Sequence, residues 1–390
     1  MEKLIKIKRA LISVSDKTGI VELAKELCGR KIELVSTGGS ASILRNAGFK
    51  VTEVSKLTGF PEMMDGRLKT LHPNVHGGLL ADRDEKSHVN AMEKYNVKEI
   101  DLLVVNLYPF AETVRAGADY AQCIENIDIG GPAMIRAAAK NFKYVATLVD
   151  IEEYEGLVNE LKMNNGCTSY SFRQKLSQNA FSLSAYYDAM ISNWMLDNIT
   201  GVKPRRFSIS AALSQDLRYG ENPHQNASFF LDEYLQGGIG ASNQIQGKKL
   251  SYNNINDTDA ALELVNEFPQ NDGAAAVIVK HANPCGVGVA DSLVEAYRSA
   301  YSCDKTSAFG GIVALNCIID EESAREIIKV FTEVVIAPDI TEGARKIFSS
   351  KSNLRLLITK KSTVHASSSK VINHIAGGYL LQDKDIEPLS

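Results

Sequence analysis

Lys280, His281 and Cys285 fall within one short stretch, VKHANPCGVG (279–288), and each residue type can do chemistry there. Three chemistries compete: a zinc site, a cysteine nucleophile and an acid–base pair. Zinc-dependent deaminases carry His-x-Glu followed by Pro-Cys-x-x-Cys, where the Glu moves protons. In this chain Asn283 stands where the Glu belongs, and Gly288 stands where the second Cys belongs. The other cysteines (Cys28, Cys123, Cys167, Cys303 and Cys317) make no C-x-x-C, so no metal is expected. The local signatures of cysteine hydrolases are missing too, and Cys285 reads best as a structural residue at a turn. A nucleophilic cysteine and a Lys280–His281 acid–base pair both stay open on the residues alone.

A second concentration of polar residues lies in the first half. SVSDKTG (13–19) and STGGS (36–40) each follow an apolar run and lead into a helical pattern. Glycines let backbone N–H groups face an anion, and a helix N-terminus favours negative charge. Either loop alone is equally a tight turn with a helix cap. Two at strand ends of one sheet favour a phosphate. TGFPEMMDGRLKTLHPNVHGGLL (58–80) reads as a long loop carrying Arg67, Lys69, His72 and His76. Pro73 is expected to spoil a helical His-x-x-x-His face, whereas Arg67 and Lys69 suit a phosphate or a developing oxyanion. NLYPF (106–110) places Asn106 and Tyr108 after an apolar strand. NIDIGGPAMIRAAAKN (126–141) places Asp128 before a helix start and Lys140 three turns into it. Singly, these two are an N-cap and a solvated lysine. In the second half, LRYGENPHQ (217–225) offers Tyr219, Asn222 and His224 as ligand contacts, with a self-bonded Ω-loop as the bland alternative. LSYNNINDTDAA (250–261) and SAFGG (307–311) are an Asn-rich turn and a glycine turn.

The elements that must position these residues alternate strand and helix. Strands are expected at Ile5–Val14, Ile32–Ser36, Lys50–Val54, Leu102–Asn106 and Tyr144–Val149. Ile20, Leu23, Ala24 and Leu27 recur at helical spacing, and a long amphipathic helix runs from Phe172 to Trp194. This is the pattern of a doubly wound parallel α/β domain. TGVKPRRF (200–207) reads as a linker, giving domains over 1–199 and 200–390. A second α/β series follows, with strands at 274–280, 310–316, 334–337 and 354–359. At 390 residues, 44% hydrophobic, 23% charged and net charge −4, the chain is long enough for two cores. The charge argues against nucleic acid, and no apolar run reaches membrane-spanning length. An N-terminus interrupted by Lys and Arg is no signal peptide, and a cytoplasmic location is expected.

Taken together, SVSDKTG, STGGS, TGFPEMMDGRLKTLHP, NLYPF and IDIGG…RAAAKN resemble the cyclohydrolase half of the bifunctional AICAR transformylase/IMP cyclohydrolase family. LRYGENPHQ, LSYNN, VKHANPCG and SAFGG resemble the start of its transformylase half, and the resemblance runs from about Arg9 to Asp383. It implies a methylglyoxal-synthase-like domain followed by a cytidine-deaminase-like domain without zinc. It implies that Lys69, Tyr108, Asp128 and Lys140 are the cyclohydrolase set, and that Lys280 and His281 serve formyl transfer. Ser15, Lys17, Thr37, Gly38, Gly39 and Ser40 are then expected to line the nucleotide site, with Arg67, Thr70, Asn106, Ile129 and Gly130. Arg218, Tyr219, Asn253, Phe309 and Gly310 are the corresponding contacts of the second domain. No bound cofactor is implied; formyl-tetrahydrofolate is the cosubstrate of formyl transfer.

The same resemblance implies small-molecule substrates (formyl-AICAR, AICAR, IMP) and a homodimer. It places the end of this chain before a further α/β lobe, so the transformylase half is expected to be incomplete. A partial sequence, a split gene completed by a separate chain, and a degenerate protein all fit that expectation. Two rival readings are a non-catalytic purine-nucleotide-binding or assembly partner and a methylglyoxal-synthase-like phosphate lyase.

Overall fold

The computed structural model describes residues 4–199, 201, 203–232, 237–359 and 370–385. The chain divides into two compact units, Met1–Ser210 and Ala211–Ser390. In the segment read as a linker, Thr200 and Val202 lie outside the described residues. Just beyond it, Ser208 accepts a bond from Asn193 Nδ2 at 3.2 Å and Ser210 is buried, which ties this stretch to the first unit.

The first unit is built on a five-stranded parallel sheet. Its order is Val51–Glu53, Glu33–Ser36, Arg9–Ser13, Leu102–Val105, Ala146–Leu148. All four residues of Leu102–Val105 are buried, as a strand covered on both faces requires. Helix Ile20–Gly29 turns Ile20, Leu23, Ala24 and Leu27 onto one face, joined by Leu157 and Leu161 of Glu153–Met163. Helices Pro73–Leu80 and Gly130–Lys140 cover the other face through Val75, Leu79, Met134 and Ile135. The long helix Tyr170–Asp197 contributes Ala180 to the same core.

Two local expectations are corrected. The first strand is not continuous from Ile5: Ile5–Lys6 forms its own antiparallel pair with Cys167–Thr168, and the sheet strand starts at Arg9. The stretch 58–80 is not all loop either, because Pro73 opens helix Pro73–Leu80. Proline lacks only an N–H that has no partner in a first helical turn, so it starts this helix rather than breaking it. His72 sits at the N-cap, and its Nδ1 accepts the Asn74 N–H at 3.1 Å.

The second unit carries a mixed six-stranded sheet, ordered Asn243–Gln246, Arg355–Ile358, Thr332–Ala337, Gly311–Leu315, Ala274–Lys280, Asn283–Ala290. Ala274–Lys280 and the edge strand Asn283–Ala290 form a hairpin, so Cys285 lies in a strand and not in a turn. The register shifts between Ile278 and Val279, opposite Cys285, and such an edge-strand bulge also accommodates Pro284. Gly286 and Gly288 face helix Leu293–Cys303 at close range. A Cβ at Gly288 would stand 2.2 Å from Ala296 O, and one at Gly286 2.0 Å from Ala300 O. The glycines of VKHANPCGVG are therefore packing residues.

Candidate active site

In the first unit the chain runs outward to Val51–Glu53, then returns to the other side of the first strand for Leu102–Val105. The order of connection reverses between Arg9–Ser13 and Leu102–Val105, and crevices beyond strand C-termini at such points are where open α/β sheets bind ligands. A cavity of about 590 Å³ opens there, within the size range of small-ligand sites.

One wall comes from the two glycine-containing loops. Ser15, Lys17, Thr37, Gly39 and Ser40 line it. Ser40 Oγ accepts from Val14 N–H at 3.3 Å and donates to Val14 O at 3.1 Å, which locks the two loops together. Lys17 Nζ donates to Val14 O and Ser15 O, at 3.2 and 2.6 Å, so its ammonium is folded over the loop rather than extended into solvent. Asn106 also lines the cavity, but its side chain is spent on the loop. Its Oδ1 accepts from Ser15 N–H and Asp16 N–H at 2.5 and 3.1 Å, and its Nδ2 donates to Asp16 O at 2.8 Å.

The opposite wall holds the groups the resemblance nominates for chemistry. Arg67, Lys69, Thr70, Tyr108, Asp128, Ile129 and Gly130 all line the cavity. Asp128 precedes helix Gly130–Lys140, and its Oδ1 accepts the Gly131 N–H at 2.8 Å. A Cβ at Gly131 would approach Asp128 Oδ2 to 2.6 Å, so this carboxylate reaches the helix end only over a glycine. Loss of solvation raises the Asp128 pKa, against the lowering effect of bonds from the Gly131, Tyr108 and Gly130 backbone and the charge of Lys69. A carboxyl so placed takes up a proton more readily than an exposed one.

Three contributors were not singled out from the sequence. Glu125 pairs with Arg67, and Glu62 stands 3.9 Å from Lys69 Nζ, so the two cations of this wall have carboxylate partners. Tyr187 of the long helix accepts the Asp128 N–H at 2.9 Å and donates to Asn126 O at 3.3 Å. Burial pushes its phenol up to about 12, so it stays a donor at neutral pH. Tyr187 lies on the apolar stripe of its helix, which reads as core; nothing local to it signals a polar task. Glu62 lies in a quoted motif and Glu125 directly precedes one, but only the fold shows which cations they meet.

Lys140 is not brought to this cavity. It is the exposed last residue of the helix whose first turn lines the site, roughly 15 Å further along the axis at 1.5 Å per residue. Gly38 does not line the cavity either; it heads helix Gly38–Asn46 with φ +42°.

In the second unit Lys280 ends its strand, and its Nζ donates to Phe309 O at 3.0 Å, which brings the VKH and SAFGG segments together. Gly310 donates its N–H to Phe331 O at 2.7 Å, and the Phe309 and Phe331 rings lie 5.3 Å apart. His281 is exposed at the hairpin tip. Asn253 Nδ2 reaches Glu221 O at 3.5 Å, beside Arg218 and Tyr219, whose guanidinium and ring are 5.5 Å apart. The 217–225 loop is held by its own bonds, Asn222 N–H to Gln225 Oε1 at 2.7 Å and Gly220 N–H to Gln225 O at 2.8 Å. Burial raises the Cys285 thiol, which disfavours the thiolate a nucleophile needs. Among the described residues no group of three or more His, Cys, Asp or Glu is placed to hold a metal, and no helix is long and apolar enough to cross a membrane.

Comparison with known proteins returns two family models. A family model described as an MGS-like domain matches residues 19–133, and one described as AICARFT/IMPCHase bienzyme matches residues 138–390. The bifunctional purine biosynthesis protein PurH of Dinoroseobacter shibae is 58% identical over 99% of this chain and 73% of its own length. Its namesake from Roseobacter denitrificans is 55% identical over 100% of this chain and 74% of its own. Among solved structures, the crystal structure of ForH is 34% identical and covers 48% of this chain and 97% of its own, at a TM-score of 0.42, too low to argue fold from. With the bienzyme model matching more than half of its residues and PurH relatives matching it nearly end to end, the chain belongs to the AICARFT/IMPCHase bienzyme family.

Proposed function

We propose that the cavity of the first unit closes formyl-AICAR to IMP, and that Lys280 and His281 of the second unit serve formyl transfer from formyl-tetrahydrofolate to AICAR. The chain is a purine-biosynthesis enzyme of the bienzyme family, and ring closure needs no redox partner. The observation that carries the reading is the meeting of Asp128, Lys69 and Tyr108 with the Ser15–Lys17 and Thr37–Ser40 loops in one cavity.

In the closure, the carboxamide nitrogen attacks the formyl carbon and surrenders its proton. The formyl oxygen becomes an alkoxide and is protonated to a hydroxyl; the former formamide nitrogen then gives up its own proton, which goes to that hydroxyl, and water leaves as the ring C=N bond forms. Asp128, with its raised carboxyl, takes the nitrogen's proton and can return it to the departing oxygen. Lys69 faces the alkoxide, Tyr108 borders the same space, and the two loops hold the phosphate so that the reacting ends stay folded together. Lys140 has no part in this scheme. For the second unit, His281 takes the proton of the attacking amine and Lys280 offsets the developing charge. Homodimerisation, which rests on the resemblance, and a cytoplasmic location, which rests on the sequence reading, complete the proposal.

The test is IMP formation from formyl-AICAR without folate, followed by ultraviolet absorbance, with Lys69→Ala beside the parent. Lys69→Ala is expected to lose about 10²-fold or more in kcat, as removal of an oxyanion partner does. A folded parent that binds IMP tightly and turns nothing over sinks the enzyme reading and leaves a nucleotide-binding protein.

A further inference from the structure

The hairpin that carries Lys280 and His281 has an unusual tip. Lys280 pairs with Asn283, so His281 and Ala282 are the two turn residues, with φ +53° and +54°. A two-residue turn with both φ values positive matches the twist of its strands, but it normally recruits Asn-Gly or Gly-Gly, because a Cβ is strained in that region. Neither residue here is glycine. What holds them is a side chain from another element: Asp257 of helix Tyr252–Asn266 accepts the His281 N–H on Oδ2 and the Ala282 N–H on Oδ1, both at 3.0 Å. Asn283 Nδ2 donates to His281 O at 2.6 Å and closes the turn from the other side. Both oxygens of one carboxylate are thus committed to the backbone of the residue assigned to proton transfer and its neighbour.

We infer that Asp257 is a positioning residue for formyl transfer: its carboxylate locks the left-handed His281–Ala282 turn and so fixes where the His281 imidazole is presented. This rests on the reading of Lys280 and His281 given above. Glycine at position 281 would relax the turn but remove the imidazole, so a histidine in a strained turn needs an external clamp. The carboxylate suits that task because it offers two acceptors in fixed geometry to two adjacent donors. An amide offers one acceptor and sets its own N–H₂ against the second donor.

The experiment uses the full chain, ¹⁵N-labelled, as parent, Asp257→Ala, Asp257→Asn and Asp257→Ala/Ala282→Gly. Amide exchange at His281 and Ala282 is read by NMR. Formyl transfer is read with formyl-tetrahydrofolate and AICAR as the probes. In Asp257→Ala, exchange at the two turn amides is expected to rise about tenfold or more over the amides of Ala274–Lys280, with kcat falling about tenfold or more. Adding Ala282→Gly is expected to bring kcat back to within about threefold of the parent, since glycine adopts positive φ without a clamp. Asp257→Asn should lie between. Unchanged exchange in Asp257→Ala, or kcat that Ala282→Gly leaves low, overturns the inference, because a purely structural loss in the helix is not repaired by a glycine in the turn. A parent that transfers no formyl group is what an incomplete transformylase half gives; the exchange data alone then decide whether Asp257 clamps the turn, and unchanged exchange overturns it.

Discussion

The two clusters proposed to be reactive are built on opposite plans. In the first unit Asp128, Lys69 and Tyr108 sit in a concave cavity at the switch point of a parallel sheet, and the decisive physical effect is desolvation. In the second unit Lys280 and His281 sit at a hairpin tip with His281 exposed, and the decisive effect is backbone geometry imposed by Asp257. The contrast teaches that proton transfer can be prepared in two ways. Withdrawing solvent tunes the acid itself; clamping the main chain leaves the acid in water but fixes its position.

The sharpest way to break that comparison is Asp128→Asn. If desolvation prepares the first cluster, IMP formation should fall about 10²- to 10³-fold while the fold is not weakened. The sign follows from the raised carboxyl. The native state binds this proton more tightly than the unfolded state, so stability is lost as pH rises through the native pKa. A neutral amide escapes that loss. The melting temperature of the variant should therefore match the parent near pH 4 and exceed it near pH 8. A variant that melts lower at pH 8 would show that the carboxylate is well solvated or well paired, and the contrast between the clusters would disappear.

Gly288→Ala probes the other plan. The added methyl meets Ala296 O at 2.2 Å, so the hairpin must lift from helix Leu293–Cys303, at an expected cost of about 2–4 kcal/mol. The single tryptophan, Trp194, belongs to the first unit. In urea, circular dichroism should register the loss while Trp194 fluorescence and IMP formation stay within about twofold of the parent. A matching loss in fluorescence would mean that the units do not unfold separately.

The smallest effect is expected from Glu125→Gln. Glu125 is exposed and pairs with Arg67 at the cavity, so an anionic substrate must displace it. Exposed ion pairs contribute little, and the variant should lower KM for formyl-AICAR only about two- to threefold, with a weaker salt dependence and kcat unchanged. A large change in kcat would place Glu125 in the chemistry itself.

The parallel strands were legible because strands covered on both faces must be continuously apolar, as LLVV at 102–105 is. The helix at Ile20 was legible because its four core residues keep helical spacing. Lys69, Tyr108 and Asp128 were nominated through the resemblance, and the cavity gathers all three. Lys140 was nominated with them, but a helix separates its ends in space, and only the first turn of Gly130–Lys140 reaches the site. Pro73 misled because proline breaks a helix interior yet opens a first turn, and the sequence does not say which position it holds.

What the sequence by itself determined is the alternation of apolar strands and amphipathic helices and the glycines that allow close approach, because these depend on period and on the absence of a Cβ. What only the tertiary structure decided is the set of partners that act from a distance along the chain. Tyr187 meets Asp128 across 59 residues, and Asp257 meets His281 across 24. Hydrogen bonds of this kind carry no periodic signature, since their geometry exists only once separate elements have packed.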